Sequence, residues 1–419
     1  MKELLDLPNE LLLHIVECVE QLGTKSDMRA LCLTWRRFRT YAEEKMYANL
    51  DCVSINSNFL FKLIRTLRAR SDLVNRVKRI RARRPLEECS NERPFHQTEI
   101  LSCLQGARLS ATVLPSGLDP EMAMPDAYLT WFLSLITSVE AIDLLLASYE
   151  WPYTNALLDH VLSGTHPRQR FTELRALWLQ LGDTNCPTSV LDVPWLQHPG
   201  LERIQMCRLG PFLTPSPAFM QRVPDRLSYA SLRSLTLDFP FGRVSDVTTL
   251  LDRCRSLERL DVSFQSGFNQ DYVNSCQAVR RMSKRLRFLR LTLNEHWNRD
   301  RRFNQLMAFG PFHDSDRLET LHIHSRVLLG NFAISLSDLL LPSLVELCLE
   351  KFAWCPAIVG HLRRLLGRIA AGQLPRLQRI RVWEYHESYF QMYDVDQPLL
   401  GVLKALQTGF SAQNVELTA

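Results

Sequence analysis

The chain has 419 residues, of which 46% are hydrophobic and 23% charged, and a formal net charge of +5. Those values exclude a disordered polyelectrolyte and leave room for one large repeat domain or roughly two or three compact ones. The small positive excess falls short of the strong basic face that nucleic acid requires, so no nucleic-acid partner is expected. The most apolar stretch, Tyr128 to Ala147, is broken by Glu140 and Asp143, so it reads as a buried pair of elements and no membrane span is expected. Glu3 and Asp6 interrupt the start, and no basic flank precedes an apolar run, so no secretory signal is expected. The 11 cysteines are scattered without a Cys-x-x-Cys pair. They read as reduced, mostly buried thiols, and the expected location is cytoplasmic, nuclear or both.

The first elements are helical. Pro8 suits a first helical turn, where a missing N–H costs nothing. Glu10 follows in that turn and favours the positive helix end. Leu11, Leu12, Ile15 and Val19 then recur at helical spacing and form one apolar face. Glu20-Gln21-Leu22-Gly23 reads as a connecting loop, with Gly23 as its breaker. A second amphipathic stretch runs from Asp27 to about Lys45, with Met28, Leu31, Cys32, Trp35, Phe38 and Met46 as apolar positions. The Leu7-Pro8-x-Glu10-Leu11 opening, the Leu33-Thr34-x-Arg36-Arg37-Phe38 core and Ala42 to Tyr47 together resemble a fungal-style F-box, over roughly residues 3–50. The resemblance implies binding to the Skp-family adaptor of a cullin ligase. The implied docking surface is shaped or supported by Leu7, Pro8, Leu11, Ile15, Leu31 and Trp35. The plainer reading is a helical cap on a repeat array, whose terminal unit needs a polar outer face.

A linker helix and a first degenerate repeat (Val77, Ile80, Ala82) occupy residues 51–82. Arg76 to Arg84 is a basic run that reads as a solvated face around those apolar residues. Residues 83–127 lose the periodicity and read as an insertion or loop, with a short helix near Ile100 to Leu109.

From residue 128 to 395 one phrase recurs: apolar-x-x-apolar-x-apolar. It is spelled by Val139, Ile142, Leu144 and by Leu174, Leu177, Leu179, then more weakly by Leu201, Ile204, Met206. Leu232, Leu235, Leu237 follow, then Leu257, Leu260, Val262 and Leu286, Leu289, Leu291. The last copies are Leu318, Leu321, Ile323, then Leu344, Leu347, Leu349 and Leu377, Ile380, Val382. The end of each phrase alternates as a short strand does. Copies stand about 25–35 residues apart, a solenoid period. Helical returns are predicted at Asp246–Cys254, Asn331–Leu341 and Ala357–Ala371, and a C-terminal cap over 396–419 around Gln397–Gly409. Strand plus return, repeated, resembles a leucine-rich repeat of the long type that accompanies F-boxes, over roughly residues 70–395. Asn three residues past the phrase occurs only as Asn294, so a continuous asparagine ladder is not expected. The expected fold is α/β: a short N-terminal helical F-box-like module over residues 1–50, then an irregular leucine-rich-repeat solenoid, or horseshoe.

Catalytic signals are absent: no phosphate-cradling glycine loop and no Gly-x-Ser-x-Gly. An enzyme is not expected, nor any cofactor. His322-x-His324 puts two imidazoles on one strand face without Cys or carboxylate company, so no metal site is expected. The x positions of the strands point away from the core and stack into columns. One column holds Trp178, Asp261, Arg290, His322, Cys348 and Arg381; the next holds Asp238, His324, Glu350 and Trp383. Trp and Arg dominate binding energy at many interfaces, and mixed charge suits a polypeptide. These residues, Cys348 excepted, are the candidate substrate-binding set. The expected function is the substrate-recognition subunit of an SCF-type ubiquitin ligase, with an unknown protein substrate. The alternative is a protein-binding scaffold that uses the repeats without recruiting a ligase.

Overall fold

The computed structural model describes residues 7–52, 57–83, 101–102, 104–105, 107, 120–146, 153–154, 157, 161, 171–181, 200–207, 231–239, 251–264, 279–293, 312, 315–324, 328, 335–350, 356–383 and 397–418. They fall into two compact units: Met1–Asp183 with Val193–Leu201, and Thr184–Asp192 with Glu202–Ala419. Both are mixed α/β units, and every strand pairing described below is parallel.

The first unit opens with α1 (Asn9–Leu22), α2 (Lys25–Thr34) and α3 (Arg36–Ala48). Pro8 stands just before α1 and its carbonyl accepts the N–H groups of Leu11 and Leu12, each at 3.2 Å. The expected loop at Glu20–Gly23 is helix as far as Leu22. The break is set by Gly23, whose N–H donates to the Val19 carbonyl at 2.9 Å. A Cβ there would stand 2.7 Å from that same oxygen, so any other residue must shift the turn. Thr24 then caps α2 reciprocally: its hydroxyl accepts the Asp27 N–H at 3.3 Å, and its own N–H donates to the Asp27 carboxylate at 2.7 Å. Trp35 is extended (φ −160°) and separates α2 from α3, so the second amphipathic stretch is two helices. Leu12, Val16, Met28, Phe38 and Ala42 form the core between the three.

The chain enters a sheet directly after α3, with β1 (Asn49–Cys52), one strand before the first expected repeat. Then come α4 (Ser57–Ala69), α5 (Ser71–Val74), β2 (Arg79–Arg83), α6 (Pro120–Leu135), β3 (Ala141–Leu146) and β4 (Ala176–Leu181). α6 begins inside the segment expected to be loop; proline at a first helical position loses nothing by lacking an N–H. The ladder runs Leu50, Ile80, Ile142, Leu177 in register. Leu60, Ile64 and Leu67 of α4 and Phe132 and Leu133 of α6 are buried, and Phe61 meets Tyr128 edge to face. Arg70 bridges Glu43 of α3 at 3.0 Å and Asp72 of α5 at 2.8 Å. Part of the basic run is paired locally. Lys78 pairs with Glu173 and Glu140, Arg81 with Asp143, and Arg76 donates to the Thr40 carbonyl. Arg83's side chain and Arg84 lie outside the described residues.

The second unit carries β5 (Arg203–Cys207), β6 (Ser234–Phe239), β7 (Arg259–Phe264), β8 (Phe288–Leu293), β9 (Thr320–His324), α7 (Leu336–Leu339), β10 (Glu346–Glu350), α8 (Pro356–Ala370), β11 (Arg379–Trp383), α9 (Gln397–Ser411) and β12 (Glu416–Thr418). Neighbours in sequence are neighbours in the sheet. Ile204, Leu235, Leu260, Leu289, Leu321, Leu347, Ile380 and Leu417 stand in one register row, and all are buried. Each strand is primed one residue early: the Glu258 carbonyl accepts Arg287 and Phe288 N–H, and the Glu319 carbonyl accepts Val345 and Glu346 N–H. That explains why the first apolar residue of the phrase matters. Leu257, Leu286, Leu318 and Leu344 are buried in the turns that feed the ladder.

The helical returns are uneven. α8 runs almost as expected, opened by Pro356 and stopped by Gly372 at φ +73°. Of the helix expected over Asn331–Leu341, residues 331–334 lie outside the described residues, and the described part is the single turn α7; Pro342 disfavours helix at Leu341 before it. Of Asp246–Cys254, residues 246–250 lie outside the described residues and 251–253 are helical. The C-terminal cap is a helix and a strand. β12 escaped the sequence reading because Val415 and Leu417 form too short an alternation to stand out, and its pairing with β11 supplies the reason it forms. Among the described residues no helix is long and apolar enough to cross a membrane.

Candidate protein-binding surfaces

The three-helix module leaves leucines in solvent. Leu11 is 48% exposed, Leu13 36%, Leu33 80% and Leu22 89%. A core of its own already exists beneath them, so these side chains are surplus to folding. Of the expected docking residues, Pro8 and Leu11 are exposed, while Leu7, Ile15, Leu31 and Trp35 are half-buried and lean on the core. Trp35 is further covered: Phe38 meets it edge to face at 5.5 Å, and the Arg37 guanidinium lies 4.9 Å from its ring centre. Arg37 also donates to the Asn9 side chain, joining α3 to the start of α1. Trp35 therefore shapes the surface more than it offers one. Leu33 was missed by sequence reasoning. The signal was present in Leu31-Cys32-Leu33: three consecutive apolar residues on a helix cannot share one face.

The predicted strand face divides between the units. In the first, Asp51, Arg81, Asp143 and Trp178 share a register row, and Trp178 is half-buried. In the second, the row reads Gln205, Thr236, Asp261, Arg290, His322, Cys348, Arg381 and Thr418. The structure brings most of its charges together. Arg290 on β8 pairs with Glu350 on β10 at 3.0 Å and lies 3.9 Å from Asp261 on β7. Arg381 pairs with Glu346 at 3.1 Å, and His322 Nε2 lies 3.9 Å from the same carboxylate.

His322 is not the cationic partner this contact suggests. Burial pushes its imidazole pKa down; Glu346 opposes, and Arg290, Arg381 and Arg259 push it down further. The neutral ring stacks obliquely on Phe288 at 5.2 Å, and Nε2 has no hydrogen-bond partner among the described residues. Phe288 in turn carries the Arg259 guanidinium 3.5 Å from its ring centre. Glu346, Phe288 and Arg259 belong to a third row that the sequence reading did not draw. They occupy the x position before each strand's first buried leucine, where Thr320 and Arg379 also stand.

Two positions differ from expectation. His324 is only 4% exposed, so it is not a solvent-facing contact residue. Its register partner Glu350 is half-buried and pairs with Arg290. Cys348 is buried as well. Its register neighbours are His322 and Arg381. Burial first, then Glu350 and Glu346, push its pKa up to about 12. The side chains of Asp238 and Trp383 lie outside the described residues. Among those described, no group of His, Cys, Asp or Glu is placed to hold a metal ion. No protein-family model matches the chain, and no curated protein matches it.

Proposed function

We propose that this chain is a substrate-recognition subunit of an SCF-type ubiquitin ligase. The N-terminal helices act as an F-box that holds a Skp-family adaptor, and the parallel strands act as a leucine-rich-repeat horseshoe that holds a protein substrate. One observation carries this reading: a three-helix module with its own closed core still presents Leu11, Leu13, Leu22 and Leu33 to solvent. Large exposed leucines on a small module are what a partner helix surface covers. The strand face supports the second half of the reading. Its charges are of both signs and are paired with one another, a pattern that suits a complementary polypeptide better than a uniform anion. The chain breaks no bond in this role; it raises the local concentration of substrate at the ligase.

The test is a quantitative pull-down of purified Skp-family adaptor by the full chain and by a chain with Leu7 and Pro8 both changed to Ala. Burial of one such side chain contributes roughly 1.5–3 kcal/mol, so binding should fall at least about tenfold. No binding by the parent chain, or equal binding by both, sinks the ligase reading.

A further inference from the structure

A second surface in the second unit is independent of both faces above. The turns that feed β6, β7, β8 and β9 line a cleft of about 710 Å³. Because the strands are parallel and in sequence order, these turns all lie at one end of the sheet. Each turn brings at least one cation close to the buried leucine that opens its phrase: Arg285 and Arg317 stand one residue before it, Arg255 and Lys284 two before, and Arg233 one after. Arg233, Arg255, Lys284, Arg285 and Arg317 line the cleft, and all are exposed. Glu202 and Glu258 are the acids among them. Glu258 lies 3.8 Å from Arg233. Arg255, Arg285 and Arg317 have no ion-pair partner among the described residues. That is unlike the strand face, where Arg290, Arg379 and Arg381 are each paired.

We propose that this ledge is a binding site for an acidic peptide segment. Arginine forks match carboxylates in two-point geometry. Neighbouring strands are about 4.8 Å apart, so the three arginines on β7, β8 and β9 turns span about 10 Å. An extended peptide places same-face side chains about 7 Å apart, so two carboxylates fall within that span. Glu202 and Glu258 interrupt the positive field. A polypeptide can set a neutral residue against each of them, whereas a nucleic-acid backbone carries a charge at every step. The site lies on the turn end of the sheet and needs neither the N-terminal helices nor the paired charges of the strand face.

The experiment is fluorescence anisotropy with the full chain and a labelled peptide of alternating Asp and Gly. The matching Asn and Gly peptide and a single-stranded DNA of equal charge are run beside it. The acidic peptide should bind, more weakly as salt rises, and the amide peptide should not. Arg255→Glu, Arg285→Glu and Arg317→Glu combined should weaken binding at least tenfold, whereas Lys404→Glu, on the exposed face of α9, should leave it unchanged. A melt in the same buffer checks folding, and the Arg→Gln set replaces the Glu set if that chain does not fold. Equal binding of the amide peptide, or unchanged binding by the folded triple variant, overturns the proposal. Tighter binding of the oligonucleotide overturns it too and assigns the ledge to nucleic acid. No adaptor is present in this measurement, so its failure and the failure of the ligase reading are seen separately.

Discussion

Arg290 on β8 reaches over β9 to Glu350 on β10, donating from Nε at 3.1 Å and placing Nη2 3.0 Å from the same carboxylate oxygen. The side chain of Glu350 is 12% exposed and that of Arg290 39%. The bridge therefore clasps three strands from the polar side, while Leu289 beside Arg290 clasps them from the apolar side at 0% exposure. The two residues are consecutive and belong to opposite faces of one strand.

That pairing sets unequal costs for substitutions at neighbouring positions. Leu289→Asp buries an unpaired carboxylate and should cost at least about 3 kcal/mol or abolish cooperative melting. Arg290→Ala removes a partly solvated ion pair and should cost about 1 kcal/mol or less. Arg290→Asp should cost more than Arg290→Ala, because the new carboxylate faces Asp261 and Glu350. A denaturant titration of the three variants checks the order. Equal midpoints for Leu289→Asp and Arg290→Ala would mean that the strand register is wrong.

On the N-terminal helices the separation is between leucines that hold the module and leucines that do not. Leu12→Ala empties a fully buried site and should cost about 2–5 kcal/mol. Leu33→Asp, at a position 80% exposed, should change stability by no more than about 0.5 kcal/mol. Under the ligase reading Leu33→Asp should nonetheless reduce adaptor capture at least tenfold. Normal capture by the folded Leu33→Asp chain would remove Leu33 from the interface.

The strand rows were legible because period two is a strict signal: every apolar pair at the end of a phrase occupies a strand of the sheet. Leu289, Leu321 and Leu347 could be placed in one row from spacing alone. What could not be read were effects that depend on the neighbour's size. Cys348 is solvent-facing by parity, yet between the longer residues His322 and Arg381 it is buried. His324 failed for a related reason, since parity says which side of a sheet a residue faces and nothing about what covers that side. The paired charges were visible only as separate letters, because Arg290 and Glu350 are not on adjacent strands. Gly23 is the breaker its residue type predicts, whereas Glu20 to Leu22, expected to be loop, continue the helix up to the point where a Cβ would meet the Val19 carbonyl.

Cys348 offers a direct measure of whether the strand face opens. Its thiol pKa, like that of Cys254, is pushed up to about 12 by burial. The thiolate is the reactive form, so neither residue should react with an alkylating reagent at pH 8 while the protein is folded. Among the four cysteines with described burial, Cys18 and Cys32 are half-buried; burial and then Glu43 push the Cys32 thiol up, so Cys18 should label first of the four. Mass spectrometry of peptides after a short pulse distinguishes the sites. Labelling of Cys348 as fast as Cys18 would show that the strand face opens around it.

Asp126 of α6 makes stability of the first unit depend on pH. Its carboxylate accepts the N–H groups of Tyr153 at 2.8 Å and Thr154 at 3.0 Å, and it is 1% exposed. Burial pushes its pKa up to about 7, against the pull of the hydrogen bonds from Thr154, Tyr153 and Thr130. The folded state therefore holds a proton that the unfolded state releases near pH 4. Stability from this group is full below that value, falls as pH rises towards about 7, and is level above it. The melting temperature of the parent chain should accordingly drop between pH 5 and pH 8 by more than that of Asp126→Asn. The variant cannot titrate there and should be uniformly less stable, because its amide nitrogen confronts one of the two backbone donors. Melts at both pH values for both chains decide the matter. If the two chains lose the same number of degrees across that range, Asp126 is ionised throughout and the backbone donors outweigh its burial.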